Sequence, residues 1–87
     1  MIVNVYSVYD KKAKLYQGMM TFINNEVALR YFLDIFKNPD SYIGKHPDDY
    51  IVYQIGTFND ATSEYEALPF NEDLINGNTI GDYANDK

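Results

Sequence analysis

Cysteine and tryptophan are absent from the chain, and histidine occurs once. Without cysteine there is no disulfide and no thiolate metal site, which fits a reducing compartment. One histidine and scattered Ser and Thr leave no nucleophile–base arrangement, so the expectation is a protein that is not an enzyme and needs no cofactor. Basic residues are scarce. Seven Lys and Arg stand against thirteen Asp and Glu, for a formal net charge of -6. That balance argues against general adhesion to nucleic acid, because phosphate binding is driven by cationic charge. The five glycines (Gly18, Gly44, Gly56, Gly77 and Gly81) are isolated, and none sits in the pattern of a phosphate-cradling loop. Long hydrophobic runs are missing too. The apolar opening at residues 2–9 is broken by Asn4 and Ser7, so it reads as neither a signal peptide nor a membrane span.

What the chain has is tyrosine and phenylalanine, nine and five of them in 87 residues, within an apolar fraction of 46%. That length makes one domain with a modest core, and dimerisation is a common way to bury more. Charge is unevenly spread. Residues 1–45 hold six Lys/Arg and four Asp/Glu, a net of +2; residues 46–87 hold one Lys and nine Asp/Glu, a net of -8. A local basic patch on an acidic protein is therefore compatible with the composition.

The strongest strand signal is the stretch after Pro47. Residues 50–58 are β-branched and aromatic and alternate two side-chain sets, as period two requires. Ile51, Tyr53, Ile55 and Thr57 form the better core face; Tyr50, Val52, Gln54, Gly56 and Phe58 form the mixed one. Gly56 marks a bulge or a close backbone approach. Residues 59–63 are a polar turn, and residues 64–68 alternate again until Pro69 stops them, which makes a hairpin. Residues 2–9 give a first strand, apolar on both faces and suited to a central position. A charged turn at residues 10–14 and a weaker extended segment at 15–22 follow. The single clear helix starts at Asn24 or Asn25 as N-cap, carries Glu26 in its first turn, and ends at Lys37 before Asn38-Pro39. Val27, Ala28, Tyr31, Phe32 and Ile35 share one face, widened by Leu29, Leu33 and Phe36; Arg30 and Asp34 are an i,i+4 pair. Residues 40–45 read as a loop. Past residue 70 the chain is polar, with Leu74, Ile75, Ile80 and Tyr83 as anchors, a short helix near residues 71–75 and fraying at 84–87.

The fold expected is α+β in the order β-β-α-β-β: a small, mainly antiparallel sheet with one helix packed across it, over residues 1–70, and an irregular acidic tail over 71–87. Chain length and the wide apolar helix face point to a homodimer.

Three groups invite a chemical reading. His46 precedes Pro47 in a turn, where packing or a hydrogen bond explains it better than catalysis. Asp48 and Asp49 are adjacent acids without further ligands at set spacing, so a solvated turn explains them better than a metal site. Tyr6, Tyr9, Lys11, Lys12, Lys14 and Tyr16, extended by Arg30, Lys37 and Lys45, interleave aromatics with cations, the combination that stacks unpaired bases and meets phosphate. Taken from the residues alone, the plainer reading is that the tyrosines are core and the lysines protect a hairpin tip.

Several segments occur in a telling order: Val5-Tyr6-Ser7-Val8-Tyr9-Asp10-Lys11-Lys12-Ala13, Ala28-Leu29-Arg30-Tyr31-Phe32, Asn38-Pro39, Lys45-His46-Pro47-Asp48-Asp49-Tyr50 and Ile55-Gly56-Thr57-Phe58-Asn59-Asp60. Over residues 2–70 this resembles the small nonstructural protein of gokushovirus-type microviruses, which are single-stranded DNA bacteriophages. The resemblance implies a DNA-binding phage protein in the cytoplasm of the infected bacterium, aiding genome synthesis or packaging. It brings no catalytic residues. The alternative is an acidic interaction module that docks on a basic capsid, replication or host protein.

Overall fold

The computed structural model describes residues 1–79. Four strands, β1 (Ile2–Asp10), β2 (Leu15–Phe22), β3 (Tyr50–Asn59) and β4 (Tyr65–Asn76), form one antiparallel sheet in the order β2-β1-β3-β4. Between β2 and β3 lie the helix α1 (Asn25–Lys37) and a single turn of helix, α2 (Tyr42–Lys45), followed by a 3-10 turn over Pro47–Asp49. The architecture is thus α+β in the order β-β-α-β-β. The central place of β1 follows from its apolar residues on both faces.

Helix α1 forms where its caps dictate. The Asn24 side chain accepts from the Val27 N–H at 2.9 Å, and the Asn38 N–H closes the other end on the Ile35 carbonyl at 3.2 Å. Its buried residues Ala28, Phe32 and Phe36 recur at helical spacing and pack on Tyr6, Tyr50, Val52 and Ile75 of the sheet. The Tyr6 hydroxyl donates to the Asn25 side chain, so this fully buried phenol ties β1 to the start of the helix. The segment read as a loop at residues 40–45 contains α2 instead. Ser41 caps it by accepting from the Gly44 N–H at 2.7 Å, and the same hydroxyl donates to the Ile35 carbonyl at 2.6 Å.

Three sequence expectations are corrected. On β3 the helix side carries Tyr50, Val52 and Gln54, the register partners of Asp10, Val8 and Tyr6, while Ile51 and Tyr53 stand on the opposite side. Both sets are apolar enough that period two alone does not choose between them. The register shifts at Ile55, beside Gly56, which is the bulge the glycine implied. Second, β4 does not stop at Pro69. Residues 68–71 form a wide arch opposite Ile55, and a proline in a bulge forfeits no ladder bond. Third, residues 71–75 are strand rather than helix or tail, so the boundary at residue 70 is not one. Ile75 pairs with Val52 and is fully buried. The expectations for Ile80, Tyr83 and residues 84–87 lie outside the described residues.

The end of β4 is held by a second turn, Gly77–Thr79, against the Pro47–Asp49 turn. Gly77 is buried there, and a Cβ would overlap the Pro47 carbonyl and lie 2.9 Å from the Tyr50 carbonyl oxygen. Gly77→Ala is expected to cost roughly 1–3 kcal/mol, since the obstructing atoms are backbone; urea unfolding would measure it.

Three phenols ionise late in this fold. Burial pushes up Tyr6 (against a small opposing effect of its Asn4 hydrogen bond), Tyr50 (with Tyr42, Asp10 and Asp49 adding to it) and Tyr53 (with Asp73, Tyr16 and Tyr9 adding to it). An unfolded tyrosine loses its proton near pH ~10 while these keep theirs, so unfolding at high pH releases protons. Stability is therefore expected to be level through neutral pH and to fall as pH rises above ~10. Denaturant midpoints across that range are the check.

Candidate nucleic-acid interface

One helix covers one face of the sheet. The other face carries Val5, Ser7 and Tyr9 of β1, opposite in alternation to Tyr6 and Val8. Tyr9 faces Tyr16 across the β1–β2 ladder. Their rings lie 4.9 Å apart, and Tyr53 of β3 completes a cluster at 6.4 Å from Tyr9 and 6.0 Å from Tyr16. These are the separations of tilted and edge-on aromatic contacts.

The lysine turn borders this cluster. Asp10, buried at the end of β1, accepts through Oδ1 from the Lys12 and Ala13 N–H groups at 2.9 and 3.1 Å, and its carbonyl accepts from the Lys14 N–H at 2.7 Å. The Gln17 side chain donates to Oδ2 at 3.4 Å. Lys14 takes a left-handed backbone at φ 61°, and the Lys11 N–H is fixed on the Asp49 carbonyl at 2.8 Å. The turn's backbone is thereby immobilised while Lys12 and Lys14 point into solvent and Lys11 is half-buried. Among the described residues none of these ammonium groups is paired with a carboxylate.

Next to the tyrosines the face sinks into an apolar trough of about 670 Å³, lined by Tyr16, Met19, Ile55, Tyr65, Leu68 and Asn71 among others. Its far wall is the β4 arch. Asn71 Nδ2 donates to the Tyr16 hydroxyl at 3.0 Å, bridging the two outer strands across the face. The Tyr65 hydroxyl donates to the Ile55 carbonyl at 3.3 Å. Negative charge lies on the β4 side, where Glu66 and Glu72 pair with Thr57 and Gln54 and Asp73 pairs with Tyr53.

The structure gathers Tyr9, Tyr16, Lys11, Lys12 and Lys14. It removes Tyr6, which is fully buried under α1 and offers no ring to a base; alternation along β1 puts it on the opposite face from Tyr9. Arg30 and Lys37 lie on the outer side of α1, in a shallow hollow with Glu26 and Asp34, across the molecule from the tyrosines. Lys45 ends α2, ahead of the Pro47–Asp49 turn whose Asp49 carbonyl accepts from the Lys11 N–H. Sequence reasoning missed Tyr53, having assigned it to the helix-facing set. The signal available was the pairing of two apolar strands, each with a tyrosine at the same phase. His46 is exposed and engaged through its backbone: its N–H donates to the Ile43 carbonyl at 3.1 Å and its carbonyl accepts from the Asp49 N–H at 3.0 Å. Among the described residues no group of three or more His, Cys, Asp or Glu side chains is placed to hold a metal ion, and no helix is long and apolar enough to cross a membrane.

A sheet with one covered face and one aromatic face edged by lysines, following the segment order of the gokushovirus-type protein, defines a small α+β phage protein. The comparisons place it more narrowly. The family described as Phage ORF5 protein matches residues 3–80, and the chain belongs to that family. Protein ORF5 of Chlamydia phage 1 is 34% identical over 58 residues, covering 62% of this chain and 60% of that relative, so the match spans less than two thirds of the relative's length. No solved structure matches.

The Asp10 carboxylate is expected to hold the lysine turn. Asp10→Ala orphans the Lys12 and Ala13 N–H groups and should cost about 1–3 kcal/mol, while Asp10→Asn keeps an acceptor and loses less. Urea unfolding gives the cost, and hydrogen exchange at the Lys12 and Ala13 amides shows whether the turn has opened.

Proposed function

We propose that this protein is a non-enzymatic phage protein that binds single-stranded DNA in the cytoplasm of the infected bacterium, during genome synthesis or packaging. The observation that carries the reading is the Tyr9, Tyr16 and Tyr53 cluster beside a turn with three unpaired lysines. Unpaired bases stack on such rings without regard to sequence, and lysines at the rim meet phosphate. A net charge of -6 is set against this by position: the lysines occupy one end of β1 and β2, Glu66, Glu72 and Asp73 lie on β4, and of the acids at the turn Asp10 is occupied by backbone N–H groups. A bound strand would follow β1 and β2 and avoid β4. The family membership and the relative in a Chlamydia phage support the phage setting.

A second reading draws on β4 itself. Phe70 is 84% exposed at the crest of the arch, with Glu66, Glu72 and Asp73 on the same strand. An acidic strand with a projecting aromatic suits docking on a basic phage or host protein.

Fluorescence anisotropy with labelled single-stranded and duplex DNA, at low and moderate salt, separates the two. Salt-sensitive preference for the single strand is expected. Lys11→Ala/Lys12→Ala/Lys14→Ala should keep the fold and flatten the slope of log affinity against log salt by about 2, the share of three phosphate contacts on a single strand. Tyr16→Ala should cost about 1–3 kcal/mol of binding. Unchanged affinity in the triple variant removes this site, and no binding at low salt by the wild type favours the acidic module.

A further inference from the structure

The sheet ends on two edges, β2 and β4, and they are guarded differently. An unpaired edge strand offers its N–H and C=O groups to any other chain, and proteins blunt it with charge, proline or a bulge. β4 has Glu66, Pro69, Glu72, Asp73 and its arch. β2, Leu-Tyr-Gln-Gly-Met-Met-Thr-Phe, has no charge and no proline. Its one irregularity, at Gly18 and Met19, leaves regular segments at residues 15–17 and 20–22. Exposed apolar side chains gather along this edge. Leu15, Tyr16, Met19 and Met20 are 49%, 49%, 61% and 39% exposed, Ile23 just beyond is 53%, and Tyr31, packed on Phe22, is 41%.

We infer that β2 pairs antiparallel with β2 of a second copy of this chain, about a two-fold axis close to Gly18 and Met19. The edge is complementary to itself in three respects. With the axis there, residues 15–17 of each copy meet residues 20–22 of the other, and the two bulges coincide at the axis, where each ladder is already interrupted. Antiparallel pairing also sets Lys12 and Lys14, which precede β2, near Glu26 of the other copy, which follows it. Two acidic chains thus approach along their uncharged edges with opposite charges at both ends. Finally, Met20 and Phe22 of each copy face Gln17 and Leu15 of the other, and all four share the helix side through their register partners Tyr6, Asn4, Val8 and Asp10, so exposed Leu15 and Met20 are covered beneath the joined sheet. The product is an eight-stranded sheet with one continuous open face and a lysine turn at either end of the seam. Only that last consequence, a longer DNA track, rests on the DNA reading; the pairing does not.

Sedimentation equilibrium of the DNA-free protein at micromolar concentration is the test. The wild type is expected to be a dimer, Leu15→Lys/Met20→Lys a folded monomer by circular dichroism, and Phe70→Ala still a dimer. Because the chain has no cysteine, a single one reports proximity: Met19→Cys should crosslink to a covalent dimer under mild oxidation, and Phe70→Cys should not. A monomeric wild type, a dimer that survives the double lysine change, or a dimer dissolved by Phe70→Ala overturns the proposal. If the double variant does not fold, the crosslinking decides in the same way, with failure at Met19→Cys overturning it. DNA affinity measured on the folded monomeric variant keeps the DNA reading separately open to refutation.

Discussion

One helix cannot cover both faces of a four-stranded sheet, and most of this structure follows from that shortage. Phe32, Phe36 and Ala28 bury Tyr6, Val52 and Ile75 on one side. The side left over is still apolar, since Val5 is 2% exposed and Ile51 9% without any helix above them. Its cover comes from the sheet's own devices. Tyrosines from three strands lean together, and β4 arches over residues 68–71 until Asn71 reaches the Tyr16 hydroxyl. The result is a half-closed second layer, with a trough where the cover is incomplete. An incompletely covered apolar face with convergent polar groups is where small proteins meet their partners.

The bulges make that arrangement possible. Extra residues at Gly18 and Met19, at Ile55 and over residues 68–71 fall in adjoining parts of β2, β3 and β4. Each raises local twist and re-aims side chains. Gly18 has φ +71°, a conformation that strains any residue with a Cβ, and its carbonyl is held by the Ser7 hydroxyl at 2.6 Å. Ser7 is buried among apolar neighbours because its hydroxyl satisfies the carbonyls that this bulge frees.

Electrostatics follow the same geometry. The back half of the sequence is acidic, and Glu66, Glu72 and Asp73 lie on β4, at the far edge of the sheet from β2. Asp49, whose carbonyl accepts from the Lys11 N–H, and Asp10 lie at the lysine turn itself. Asp10 sits under the lysines because its role is local, accepting the N–H groups of the turn and the Gln17 side chain rather than pairing with an ammonium group. The phage family membership fits a protein of this size, while the DNA reading stands on the tyrosine and lysine cluster.

The sequence by itself determined the main elements and their β-β-α-β-β order, though not the short α2 or the second half of β4. Asn24 and Asn38-Pro39 bounded the helix, period two marked β1 and β3, and Gly56 announced its bulge, because caps, breakers and alternation act over a few residues. The lysines and two of the three clustered tyrosines were legible for the same reason: they flank one hairpin. Tertiary structure decided what depends on the partner strand. It chose which apolar face of β3 took the helix, sent Tyr6 inward and brought Tyr53 beside Tyr9, and carried β4 past Pro69 to bury Ile75. A strand with apolar residues on both faces does not encode which face is covered. That choice is made by register against β1 and by the one place where α1 can pack, and both are contacts between residues far apart in the chain.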